Sequence, residues 1–152
     1  MQLLICGGAG YIGSHMVRYL QGIGHDVVVL DNLSTGHPWA FGDFELLKVD
    51  LLDQETLARL LKGRQFDGVV HLAAKSLVGE SVQRPDFYYR NNVTGTLNLL
   101  TQMLANDMQN IVFSSTAAIF GRPVTEKIAE DHPKQPINPY GQSKLVVESL
   151  LA

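Results

Sequence analysis

The 152-residue chain has one cysteine, Cys6, one tryptophan and no long apolar run. A single thiol excludes an internal disulfide framework, and its place inside a short apolar stretch marks Cys6 as a small buried hydrophobe. Lys and Arg total 12 against 15 Asp and Glu, a formal net charge of −3, and the basic residues are scattered, so there is no electrostatic footprint for nucleic acid. The 5 histidines (His15, His25, His37, His71 and His132) have neither metal-ligand spacing nor cysteine partners, and no metal is expected. No basic region precedes the N-terminal apolar run, and glycines break it within about six residues, too soon for a signal peptide. Nothing approaches the roughly 20 apolar residues of a membrane span. The expectation is a soluble, reduced, cytoplasmic protein with no membrane or nucleic-acid partner. Its apolar content of 45% suits one packed core.

Glycine is abundant, and its placement is informative. Gln2–Cys6 reads as a strand, and Gly7, Gly8, Gly10 and Gly13 crowd the turn after it. Tyr11–Ile23 carries apolar residues at helical spacing (Ile12, Met16, Tyr19, Leu20, Ile23), and Gly24 stands where a helix C-cap would. Val27–Leu30 is a second β-branched run, so residues 2–31 form a βαβ unit of about 30 residues. In a turn that holds a diphosphate, Gly7 turns the backbone sharply off the strand, Gly10 keeps side chains away from the phosphates, and Gly13 lets the helix approach the strand. The helix N-terminus near Tyr11 then faces the anion. Asp31, ending the second strand, can accept hydrogen bonds from both adenosine ribose hydroxyls. It would repel a 2′-phosphate, and no Arg lies among Asn32, Leu33, Ser34 or Thr35, so NAD is favoured over NADP.

Residues 32–42 read as a loop placed to close over the adenosine. Phe44–Val49 is a third strand ending at Asp50, a carboxylate that can accept from the adenine amino group or simply start a turn. Asp53 caps a second helix with Leu57, Leu60 and Leu61 on one stripe and Gly63 after its end. Asp67–Ala74 is a fourth, almost continuously apolar strand, as a parallel strand covered on both faces should be. Small Ala73 and Ala74 leave room for a ligand or serve packing. Residues 75–81 read as loop. Pro85 opens a long helix to about Met108 with Tyr88, Val93, Leu97, Leu100 and Leu104 as its buried stripe. Ile111–Ala118 begins as a fifth strand and ends in Ser114, Ser115 and Thr116, hydroxyls that meet a substrate alcohol or cap the strand. Strands alternate with helices throughout, which argues for an α/β fold built on a doubly wound parallel sheet.

Asn138-Pro139-Tyr140-Gly141-Gln142-Ser143-Lys144 is the second anchor. Asn138 caps a helix, Pro139 fits its first position, and Tyr140 and Lys144 fall at i and i+4 on one face. A phenol has an ordinary pKa of about 10, and an ammonium one turn away favours phenolate, which suits a general base for an alcohol. Thr116 would hydrogen-bond the reacting oxygen and relay the proton.

These residues resemble the extended short-chain dehydrogenase/reductase superfamily and, within it, the UDP-glucose 4-epimerase (UDP-galactose 4-epimerase) family. The resemblance runs through GGAGYIGSH at 7–15, DNLSTG at 31–36, VDLLD at 49–53, HLAA at 71–74, SLVGESV at 76–82, YYRNNVTGTLNLL at 88–100, FSSTAAIFG at 113–121 and PYGQSK at 139–144. It implies a Rossmann-type domain and NAD contacts from Gly7, Gly10, Tyr11, Ile12, Gly13, Asp31, Asn32, Leu33, Ser34, Thr35, Gly36, Asp50, Leu51, Leu72, Ala73, Ala74, Ser76, Asn92, Tyr140 and Lys144. It also implies a UDP-hexose substrate touched by Thr116 and Tyr140, with Tyr140, Lys144 and Thr116 catalytic, and interconversion of UDP-glucose and UDP-galactose by transient oxidation at sugar C4. Sugar 4,6-dehydratases carry Asp-Glu after that Thr, whereas Ala117 and Ala118 follow it here, which argues against dehydration. Some epimerases have Lys where this chain has Ser76, with Lys75 adjacent. Members are about twice as long, so the resemblance implies an N-terminal half that ends after about five strands without the uridine pocket. Residues 1–152 would then be an incomplete NAD-binding domain, impaired in turnover, that associates with itself as a dimer or with a partner through uncovered apolar faces.

Overall fold

The computed structural model describes residues 1–40 and 42–152, so position 41 of the expected 32–42 loop lies outside the described residues. The elements run β1 (Gln2–Cys6), α1 (Tyr11–Gly22), β2 (Asp26–Asp31), β3 (Glu45–Lys48), α2 (Gln54–Leu61), β4 (Gly68–His71), α3 (Val78–Gln83), α4 (Pro85–Tyr89), α5 (Gly95–Ala105), β5 (Ile111–Phe113) and α6 (Pro139–Leu151). A π turn covers Arg90–Thr94, and 3-10 turns cover Pro38–Ala40 and Ala117–Phe120. The chain divides into two compact units, Met1–Ala74 with Leu97–Ser114, and Lys75–Thr96 with Ser115–Ala152.

The first unit holds a five-stranded sheet in the order β3-β2-β1-β4-β5. Every pairing is parallel, with Leu3 opposite Val27 and Gly68, and Val28 opposite Glu45. Alternate side chains of β1 and β2 feed two cores. Leu4, Cys6, Val28 and Leu30 pack with Leu57 and Leu61 of α2 and with Leu99 and Met103 of α5. Leu3, Ile5, Val27 and Val29 pack with Val17 of α1. Helices on both faces of a parallel sheet are the doubly wound arrangement the alternating pattern predicts.

The α1 terminus follows the glycine signal. The Gly24 amide donates to Gln21 O at 2.9 Å and the His25 amide to Leu20 O at 3.0 Å, with Gly24 at φ +88, a Schellman close. The apolar period of α1, however, marks its buried face only in part, at Leu20, which packs against the Val17 core. Ile12, Tyr19 and Ile23 are exposed, and the helix buries Gly13, Ser14 and Val17 instead. Small residues win because the helix start lies against the turn: a Cβ on Gly13 would come within 2.0 Å of Gly7 O.

In the second unit α6 packs against α3, α4, the π turn and the second 3-10 turn. Two expectations need correction. Residues 75–81 are not all loop, since α3 starts at Val78, and its N-cap Leu77 finds a partner eleven positions on when its amide donates to the Tyr88 hydroxyl at 3.0 Å. The long-helix stripe is also displaced. Tyr88 is buried as expected, but Asn92 and Thr96 are buried with it, while in the first unit Leu99 and Met103 are buried and Leu97 and Leu104 exposed. Asn92 and Thr96 turn inward because each finds hydrogen bonds there, and a hydrophobic period does not register buried polar side chains. Among the described residues, no helix is long and apolar enough to cross a membrane.

Candidate functional site

The expected site residues fall into two groups, one in each unit. In the first unit, β1 delivers the chain into the glycine turn. Gly7 sits at φ +84, and a Cβ there would come within 2.6 Å of Ala73 N, so this position requires glycine for both conformation and space. A Cβ on Gly10 meets only Gly7 O at 3.4 Å, ordinary contact. Gly10 is the N-cap of α1, no side chain caps the helix, and its first turn carries no acid. The amides of that turn, at Tyr11, Ile12 and Gly13, have no acceptor within the helix, which is what an anion such as a diphosphate requires. Tyr11 is 84% exposed and Ile12 59%.

Asp31 is buried, and both of its oxygens are engaged. Oδ2 accepts from the Ala9 amide at 3.0 Å and Oδ1 from the Leu33 amide at 2.8 Å. Each carboxylate oxygen accepts more than one hydrogen bond, so the capacity to receive ribose hydroxyls persists. Leu33 adopts φ +59, and Gly36 lies so close to Ala9 that a Cβ would approach within 2.7 Å. Asn32 Nδ2 donates to Asp50 Oδ2 at 2.8 Å, and Asp50 Oδ1 accepts from the Leu52 amide at 2.9 Å. Asn32, Ser34, Asp50, Lys48 and Thr56 line an open recess of about 440 Å³ beside β2 and β3. The sequence pointed to the first three. Lys48 and Thr56 carry no local signal, because only the packing of β3 and α2 brings them to the same hollow. Thr35 is exposed, Leu51 buried, and Leu72, Ala73 and Ala74 half-buried after β4. The glycine turn, the uncapped helix start and the Asp31 carboxylate therefore suit a dinucleotide.

In the second unit, Asn138 Oδ1 accepts from the Gly141 amide at 2.8 Å and Pro139 occupies the first turn of α6, which starts as its sequence predicts. Tyr140 is half-buried, while Lys144, one turn later, is 3% exposed. Burial pushes the Lys144 ammonium down to about 8. Ser143 Oγ donates to Tyr140 O at 2.7 Å. Thr116 caps the 3-10 turn, its Oγ1 accepting from the Ala118 amide at 3.2 Å. Gly141 packs so tightly there that a Cβ would come within 2.5 Å of Ala118 O. The hydroxyl-bearing segment is thereby held directly beside α6.

Asn92 organises the rest of this unit. Its Oδ1 accepts from the Lys75 amide at 2.8 Å, and its Nδ2 donates to Lys75 O and to Ser143 Oγ, both at 3.0 Å. One side chain thus fixes both backbone groups of Lys75 and touches the Tyr140 helix. Ser76, the next residue, is exposed. The Tyr88 ring meets the Tyr140 ring edge to face, with centroids 6.4 Å apart and planes at 79°. Ser143 and Tyr88 were not singled out as site residues, because their partners lie 51 and 52 positions away in sequence or depend on the packing of α4 against α6.

Residues 3–152 match the NAD dependent epimerase/dehydratase family. A UDP-glucose 4-epimerase of Halalkalibacterium halodurans is 49% identical over 150 residues, which are 99% of this chain and 45% of that protein. The UDP-glucose 4-epimerase from Brucella ovis in complex with NAD superposes with a TM-score of 0.93 at 44% identity, over 98% of this chain and 46% of that one. The UDP-Glc/GlcNAc 4-epimerase from Campylobacter jejuni gives 0.94 at 43% identity, over 98% and 47%. The chain spans about half the length of the curated relatives it matches.

Proposed function

Because the chain belongs to the NAD dependent epimerase/dehydratase family, we propose that residues 1–152 form the NAD-binding part of a UDP-glucose 4-epimerase and that Tyr140 is its general base. The observation that carries this reading is the burial of Lys144 one turn after Tyr140 on a helix whose start is fixed by Asn138 and Pro139. A cation in that position favours the phenolate, and its own pKa near 8 leaves it charged at neutral pH.

NAD would be held by the amides at the start of α1, by Asp31 through the ribose hydroxyls, and by the Asn32–Asp50 pair at the adenine. The chemistry that bound NAD supplies is reversible removal of hydride from the sugar carbon, so no net oxidation occurs. Tyr140 takes the proton of the 4-hydroxyl and returns it after inversion. Thr116 donates to the reacting oxygen, and Lys144 holds the phenolate charge. Ala117 and Ala118 place no carboxylate after Thr116, which disfavours elimination of water. We further propose that the chain self-associates, since Leu104 and Val112 are exposed apolar side chains on α5 and β5.

The test is to incubate the chain with NAD and UDP-galactose and assay UDP-glucose, alongside Tyr140→Phe. Slow conversion is expected, in keeping with impaired turnover, with a further loss of at least about 10²-fold in the variant and unchanged NAD binding. Unaltered turnover in Tyr140→Phe removes Tyr140 as base. NAD binding without any conversion makes the chain a non-catalytic NAD-binding segment.

A further inference from the structure

The buried phenol of Tyr88 is the strongest feature that the proposed chemistry leaves unused. Its ring is fully buried in the second unit, and its hydroxyl is tied at three points: it accepts from the Leu77 amide at 3.0 Å and lies 2.8 Å from both Leu77 O and Glu80 Oε2, which compete for its single proton. A buried hydroxyl held this way cannot swing, so the ring behind it is fixed in position and in tilt. That ring stands at 79° to Tyr140 with centroids 6.4 Å apart, within the range of an edge-to-face pair. Phe87 meets the Tyr88 ring from another side, again near perpendicular at 82°.

We propose that Tyr88 is a positioning residue for Tyr140, its immobilised ring holding the Tyr140 phenol in one rotamer while its hydroxyl pins the start of α3. The proposal rests on the reading of Tyr140 as the base, and it adds a mechanism by which that base is aimed. Helix position alone leaves the Tyr140 side chain free to choose among staggered rotamers, and a half-buried ring gains definition only from what it packs against. Tyr88 supplies such a wall, and the wall is rigid because α3 anchors it. The same hydroxyl fixes Leu77, so the exposed Ser76 segment and the Tyr140 ring are held by opposite ends of one side chain. The ionisable groups that act on the Tyr88 phenol are Glu80 on α3 and Tyr140 on α6. The Tyr88 phenol is pushed up to about 12 by burial and by Glu80, so its hydroxyl keeps its proton at neutral pH.

The experiment is NMR on the whole chain with ring-labelled tyrosine, the 5 tyrosines being assigned by single Tyr→Phe substitutions. In the unsubstituted chain the Tyr140 ring should show cross-relaxation to Tyr88 ring protons and couplings of a single χ1 rotamer. Tyr88→Leu should average those couplings while the fold is retained, and Tyr88→Phe should keep them but speed exchange of the Leu77 amide at least tenfold. A single Tyr140 rotamer in folded Tyr88→Leu overturns the proposal. If Tyr88→Leu does not fold, the unsubstituted chain decides: absent cross-relaxation, or free flipping of the Tyr88 ring, overturns it equally. These readouts need no turnover, so their failure is distinct from failure of Tyr140 as base.

Discussion

Asp31 at the end of β2 accepts the amide of Ala9 at 3.0 Å, so the carboxylate expected to recognise ribose also holds the glycine turn in shape. The bond crosses from one strand end to the loop after the neighbouring strand, and Gly36 packs against Ala9 beside it. The proposed ribose contact and the shape of the turn therefore fall on one residue.

Asp31→Ala should accordingly lose stability as well as NAD affinity. Two backbone donors to a buried carboxylate are abandoned, at a cost of about 3 kcal/mol in denaturant unfolding. Full stability with reduced affinity would confine Asp31 to ligand contact.

Gly10 and Gly13 should separate in the same way. A Cβ on Gly13 would come within 2.0 Å of Gly7 O, which is backbone and cannot yield, so Gly13→Ala should destabilise by roughly 1–3 kcal/mol or more. Gly10→Ala meets only a 3.4 Å contact at an N-cap of φ −75, so it should fold normally and weaken NAD by projecting into the space beside the helix start. Thermal melts with and without NAD distinguish the two.

Asn92→Ala should cost about 2–3 kcal/mol, because it strands the Lys75 amide and carbonyl and removes the donor to Ser143 Oγ. Denaturant unfolding reads the loss, and faster exchange of the Lys75 amide localises it.

The pH dependence of stability follows from Lys144. Its folded pKa is lowered to about 8 from 10.5, so between those values the unfolded chain binds more protons and stability rises with pH; below about 8 both states are charged and the burial cost is constant. Lys144→Met should be more stable than the parent at neutral pH, with the difference shrinking as pH climbs from 8 towards 10.5. Taking that difference cancels the opposing effect of Tyr88, whose raised pKa costs stability above pH 10.

The parts of the fold legible in the sequence are those set by neighbouring residues. The strand–glycine turn–helix–strand run, the Asp53 cap, the Gly24 close and the Asn138-Pro139 start all depend on contacts within a few positions, and all stand where the pattern indicates. What escaped the sequence depends on distant partners. The bare sequence gives no clear reading of Asn92, because its partners Lys75 and Ser143 lie 17 and 51 positions away, and only the family resemblance marks it. The short helix α3 has no apolar period of its own and forms where the Tyr88 hydroxyl accepts its first amide. Ile12 and Tyr19 mimic a core stripe because the real contact face of α1 combines Val17 with Gly13 and Ser14, which carry no hydropathy signal.

The glycine turn as the diphosphate cradle is the claim on which the rest depends, and calorimetric titration of the chain with NAD and then NADP tests it most directly. NAD should bind with one-to-one stoichiometry, and NADP at least tenfold more weakly because its 2′-phosphate meets Asp31. Equal affinity for the two, or no NAD binding by the folded chain, would contradict it.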